Sequence, residues 1–162
     1  MSAIEHLTHD NEHYLASFPG PRPLRPRLRM AVVTCMDSRL DLFGALGLNV
    51  GDAHLLRNAG GMITEDMLRS LALSQRKLGT REIAVIHHTD CGMYSLDDAA
   101  FRAEIEAESG HRPTWDVPGF TNYEQAVRDA VQAVRDCDWL PCRDDVAGFV
   151  FDVATARLTP VD

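Results

Sequence analysis

The chain has no basic block, no apolar window long enough to span a bilayer, and no low-complexity tract or internal repeat. Each absence excludes something. Aspartate and glutamate (24) outnumber lysine and arginine (16), for a net charge of -8. Without a run of basic residues, nucleic acid and anionic membrane surfaces are poor partners. The opening stretch, MSAIEHLTHDNEHYLASF, lacks the apolar core of a signal peptide. Cysteine is scarce, with four in the chain. In an acidic chain without an export signal they point to the cytoplasm. Thiols there stay reduced and serve more often as ligands or nucleophiles than as disulfides. What remains is a chain of 162 residues, 45% of them hydrophobic, enough for one domain with a core.

Apolar periodicity supplies the elements. Residues 3–18 read as a helix with Ile4, Leu7, Leu15 and Phe18 roughly on one face. The prolines at 19, 21, 23 and 26 end it and make a stiff, extended arm. A helix on such an arm has two ways to bury its stripe: against a partner subunit, or by folding back onto its own domain. Three strands follow, at 30–34, 54–57 and 83–87, the first and third reading as buried on both faces. Helices are expected at about 40–46, between Thr64 as cap and Gly79 as stop, and at 96–108. Residues 121–124, Thr-Asn-Tyr-Glu, read as a capping box. The helix it opens carries Tyr123, Ala126, Val127, Ala130, Val131 and Val134 at helical spacing. Residues 148–153 form a fourth strand, and 157–161 are a candidate short edge strand. This is a three-layer α/β plan: a mostly parallel four-stranded sheet with that possible edge strand, helices on both faces, and an N-terminal helical arm. Residues 1–28 make up the arm and 29–162 the domain.

Two short strings carry the chemistry, Cys35-Met36-Asp37-Ser38-Arg39 and His88-Thr89-Asp90-Cys91-Gly92. Each begins at the carboxyl end of an expected parallel strand, where ligands bind in open α/β sheets. If the two strands are neighbours, Cys35 meets His88 and Cys91. Two thiolates and an imidazole suit zinc and leave one tetrahedral position open. An open zinc can hold and acidify a water. Asp37 can orient that water or close the site as a fourth ligand. Arg39 can fork onto the Asp37 carboxylate and hold it off the metal.

The pattern Cys-x-Asp-x-Arg followed by His-x-x-Cys resembles the β-class carbonic anhydrases. Arg57-Asn58-Ala59-Gly60, between the strings, and the strand at 148–152 extend the likeness to about residues 29–155. The short length is similar to the compact prokaryotic branch, including mycobacterial-type members. The resemblance implies one Zn2+ per subunit at Cys35, His88 and Cys91, and the Asp37–Arg39 pair as gate and orienting group. It implies reversible hydration of CO2 to bicarbonate by a homodimer or homotetramer, with the first helix embracing the partner. Relatives that hydrolyse carbonyl sulfide or carbon disulfide share the motif. A third reading is a non-catalytic zinc protein closed by Asp37. Larger plant-type members present a glutamine near the substrate pocket. No residue here matches it by motif, and Gln75 sits inside a helix. The pocket is then expected to be apolar, with Ala59, Gly60 and Met93 as candidate walls.

Other residues have plainer readings. Arg57 and Asn58 tie a loop that supports the site. Gly60 and Gly61 permit close backbone approach, and Gly92 frees the chain beside the metal. His87, one residue before His88, points the opposite way on its strand. Asp90 is a turn former. Cys137 and Cys142 are free thiols. His6, His9 and His13 are a solvated helical face or, less plainly, a metal-binding one.

Overall fold

The computed structural model describes residues 2–162. Its elements run α1 (Ala3–Leu15), β1 (Met30–Cys35), α2 (Leu42–Leu46), β2 (Ala53–Asn58), α3 (Glu65–Leu78), β3 (Glu82–His88), α4 (Asp98–Ser109), α5 (Tyr123–Arg135), β4 (Val146–Asp152) and β5 (Arg157–Val161). A single 3-10 turn, Ala59–Gly61, follows β2. The strands form one five-stranded sheet in the order β2-β1-β3-β4-β5. β1 pairs in parallel with both β2 and β3, and β3 in parallel with β4. The edge strand is real, and β5 closes the sheet antiparallel to β4.

Alternation along β1 and β3 divides the core. Ala31, Val33, Ile83 and Val85 pack with Met67 and Leu71 of α3 and Val127, Val131 and Val134 of α5. Val32 and Ile86 belong to the second cluster, with Leu42 of α2, Leu40, Leu48 and Met93. The second cluster also contains Cys35 and Cys91, so the apolar packing reaches the site itself. α4 buries none of its residues, in keeping with its polar sequence.

Helix ends follow local chemistry. The Thr64 hydroxyl accepts the Met67 N–H and caps α3, and Gly79 ends it with φ 78°. α5 departs from expectation. Asn122 is its cap, accepting the Gln125 N–H at 2.9 Å, and the Thr121 box does not form. Asn is as good a cap as Thr, and Tyr123 begins the helix one residue later than the box requires.

α1 is the exception to this packing. It is shorter than expected, ending at Leu15, and none of its residues is buried. Ile4, Leu7, Leu15 and Phe18 are all exposed, so the stripe does not fold back onto the domain. The arm itself is tethered at its far end. The Arg27 and Leu28 N–H groups donate to the Gly51 and Asp52 carbonyls. The Arg27 guanidinium donates to the buried Asp52 carboxylate at 2.7 Å. No helix among the described residues is long and apolar enough to cross a membrane.

Candidate metal centre and active site

The chain moves from β1 to β2 on one side and then crosses to β3 on the other, so the strand order reverses at β1. Such a reversal opens a crevice at the carboxyl ends of the two central strands. Cys35 is the last residue of β1 and His88 the last of β3, and Cys91 follows one turn later. The Cys35, His88 and Cys91 ligand atoms all lie within 4.8 Å of one another. The two sulfurs are 3.9 Å apart, and all three residues are buried.

The donor set fits a soft divalent cation. His88 Nδ1 lies 2.8 Å from the Thr89 carbonyl oxygen. A carbonyl only accepts, so Nδ1 carries the hydrogen and Nε2 presents a bare lone pair. That Nε2 is buried and has no hydrogen-bond partner. An unsatisfied buried acceptor costs about 1–3 kcal/mol, which coordination would relieve. Burial also pushes the Cys91 thiol up to about 11, and the adjacent Cys35 sulfur adds to the shift. Two thiolates side by side in such a place require a positive charge between them. His87 is equally buried but stacks on Phe120 at 5.6 Å, outside the cluster.

The approach of the β2 loop to Cys35 depends on two glycines. Gly60 and Gly61 have φ of 76° and 69°, in the left-handed region. The Gly60 N–H donates to Cys35 Sγ at 3.3 Å. A Cβ on Gly61 would meet the Thr34–Cys35 backbone at 3.0–3.1 Å. Asn58 locks the turn, exchanging two 2.8 Å hydrogen bonds with the Met62 backbone. Arg57 donates to the carbonyls of Cys35 at 2.9 Å and Asp37 at 2.5 Å, fixing the first string. Ala59 and Met93 pack in the apolar cluster around Cys35 and Cys91, and Met93 lies against Gly60. Gly92 differs from its expected role. Its φ is not positive, and a Cβ there would meet nothing within 4 Å. Gln75 is buried in α3 and spends its amide on both backbone groups of Cys142.

Asp37 stands beside the cluster, its Oδ2 3.8 Å from His88 Nε2. Arg39 grips it with a two-pronged fork, Nε to Oδ1 at 3.0 Å and Nη2 to Oδ2 at 2.7 Å. The Arg39 backbone N–H adds a third bond at 2.9 Å. These donors hold the Asp37 carboxyl far below the usual carboxylate range.

The site contains two partners that sequence reasoning misses. Arg39 also donates to the Asp90 carboxylate at 2.6 Å and to the Asp90 carbonyl at 2.7 Å. The Asp90 N–H in turn donates to the Tyr123 hydroxyl at 3.1 Å. One guanidinium thus straps the β1 loop to the β3 loop, and Tyr123 ties the strap to α5. Asp90 has φ 53°, so it is the turn former expected as well as a binding partner. Tyr123 gives no signal in sequence, because it sits on the apolar face of an amphipathic helix. A groove of about 840 Å³ opens beyond this region, lined by Asn58, Ala59, Met62, Trp115, Val117 and others. The three-residue cluster is not in its wall.

Comparison with known proteins agrees with the geometry. The carbonic anhydrase family model matches residues 30–147. β-carbonic anhydrase 1 of Mycobacterium tuberculosis is 42% identical over 161 residues, covering 99% of both chains. The crystal structure of carbonic anhydrase from Streptococcus mutans superposes with a TM-score of 0.94 at 39% identity, covering 100% of this chain and 99% of that one. Two carbon disulfide hydrolases of Acidithiobacillus thiooxidans also match, one 33% identical over 82% of this chain and 76% of its own length, the other 49% identical over 78% and 70%. With its crevice at the β1–β3 reversal, its Cys-His-Cys cluster and these relatives, the chain belongs to the β-class carbonic anhydrases.

Proposed function

We propose that the chain hydrates CO2 reversibly to bicarbonate and a proton at one Zn2+ per subunit, held by Cys35 Sγ, His88 Nε2 and Cys91 Sγ. The observation that carries this reading is the unpartnered Nε2 of buried His88 beside two thiols. Zinc there supplies Lewis acidity near neutral pH, the property that turns water into a nucleophile. The other steps belong to the chain. Asp37 accepts a hydrogen bond from the attacking water and turns its lone pair toward the carbon of CO2. Arg39 keeps the Asp37 carboxylate paired and away from the cluster. Arg57 and Asn58 hold the two loops, and Gly60 donates to the Cys35 sulfur. Ala59, Gly60 and Met93 give CO2 an apolar approach.

Residues 1–28 act as an arm that packs α1 on a partner subunit in a homodimer or homotetramer. The fully exposed apolar stripe of α1 supports this. The cytoplasmic assignment rests on cysteine usage and acidic charge.

Carbon disulfide or carbonyl sulfide hydrolysis is the second reading, favoured by the carbon disulfide hydrolases among the relatives. Coverage favours CO2: the mycobacterial carbonic anhydrase matches over 99% of both chains, whereas a carbon disulfide hydrolase that is 49% identical matches over 78% of this chain and 70% of its own length. Rates on CO2, carbonyl sulfide and carbon disulfide, measured side by side on zinc-quantified protein, test the choice. CO2 is expected to be fastest, and a faster sulfur substrate would overturn it.

A further inference from the structure

The histidine face of α1 lies far in sequence from the site and is not needed by the proposed reaction. His9 and His13 are one helical turn apart, and their Nε2 atoms converge to 3.4 Å. Their rings meet edge to face with centroids 4.9 Å apart. A hydrogen bond between two imidazoles would sit nearer the usual N–H donor distance of about 2.9–3.0 Å. Two nitrogens at 2.0–2.1 Å on a tetrahedral ion are about 3.3–3.4 Å apart. The observed separation is that of a long hydrogen bond and equals the span of a chelate, so the pair can close on an ion without moving its rings. No packing dictates these rotamers, since α1 buries nothing.

The surroundings suit a cation. Between Ala3 and Leu15 there are three carboxylates, Glu5, Asp10 and Glu12, and no lysine or arginine. Asp10 is three residues before His13 and adds negative charge near the pair without joining it as a third ligand. At 3.6 residues per turn the face carrying His9 and His13 lies opposite the one carrying Ile4, Leu7, Leu15 and Phe18. Docking of the apolar stripe on a partner therefore leaves the histidine pair in solvent.

We propose that His9 and His13 form a second metal site, a bidentate chelate for a divalent imidazole-seeking cation of the zinc, nickel or copper type. The two nitrogens bind, and water completes the coordination. Binding spans one turn of a 13-residue helix whose capping box lies at its other end, with Ser2 and Glu5. Helices of this length are marginal alone in water, so the chelate staples α1. The inference stands apart from the catalytic reading, since it uses none of the same residues.

The test uses untagged full-length protein whose cluster zinc has been quantified, titrated with zinc chloride and followed by calorimetry and far-ultraviolet circular dichroism. One further equivalent per chain is expected, weaker than the first, with a rise in helical signal. His9→Ala and His13→Ala should each abolish it, while His6→Ala should keep it. No further equivalent at millimolar zinc, or one that survives both His9→Ala and His13→Ala, overturns the proposal. Its loss in His6→Ala would likewise contradict a site built from this pair.

Discussion

The loops after β1 and β3 and the helix α1 are built on opposite terms. In the loops every named side chain has a reason to be where it is: Cys35, His88 and Cys91 are buried, and Arg57, Asn58 and Arg39 are fully engaged. In α1 four large apolar side chains face solvent, and nothing is buried. The difference lies in whether a second surface covers the apolar side chains. The sheet provides it for the loops within one chain. For α1 no such surface is present among the described residues. Binding and chemistry should therefore respond to changes in the loops, and assembly to changes in α1.

That separation can be broken in graded steps. The largest effect is expected at Asp37. Asp37→Asn keeps the shape but loses the charge that Arg39 grips, and CO2 hydration should fall by about 10–100-fold with zinc content unchanged. Stopped-flow assays beside metal analysis check this. A parallel loss of zinc would mean Asp37 holds the metal instead of orienting water. Next, Leu7→Asp combined with Leu15→Asp should shift the protein to a smaller species by sedimentation, at least tenfold weaker in self-association, with its zinc retained. Burying one such side chain is worth about 1.5–3 kcal/mol, so two are enough. An unchanged sedimentation profile would remove α1 from the interface.

Asp90→Asn is a finer probe of the strap. It removes the carboxylate that Arg39 Nη1 reaches and keeps the carbonyl that Nη2 reaches. Asp90 is largely exposed, so kcat should drop only about two- to fivefold, the size of a solvent-facing ion pair, and the loss should shrink at high salt. The smallest effect belongs to the tether of the arm. Arg27, then the Asn49 N–H, hold the Asp52 carboxyl below its usual range. A depressed folded pKa gives stability that is present above the unfolded value of about 3.9 and is lost as pH falls through the folded value. Asp52→Asn should thus lower the melting temperature at neutral pH, and the gap from wild type should close in strong acid. A constant gap across that range would remove the carboxylate charge as its cause.

Much of this was legible in the sequence where local patterns carry the information. The apolar runs at 30–34 and 83–87 marked the two central strands, and the strings at their ends marked the site. Adjacency of β1 and β3 needed the structure, because pairing between segments 52 residues apart leaves no local trace. Thr121 lost the cap of α5 to Asn122, since both residue types cap well and only the backbone path selects between them. Asp90 and Tyr123 were hidden for the same reason as the pairing. Their roles depend on a contact across 33 residues, while their local patterns read as a turn and a core face. Gly61 was legible as a close approach, and the structure supplied what it approaches, the Thr34–Cys35 peptide.

The central claim is that Cys35, His88 and Cys91 make a zinc site whose occupancy determines CO2 hydration. Its most direct test is stopped-flow CO2 hydration against zinc equivalents at the cluster, in wild type and Cys35→Ser. The account predicts a rate that rises in proportion to zinc up to one equivalent per chain and is absent from zinc-free Cys35→Ser. Full hydration activity in verified zinc-free protein would contradict it.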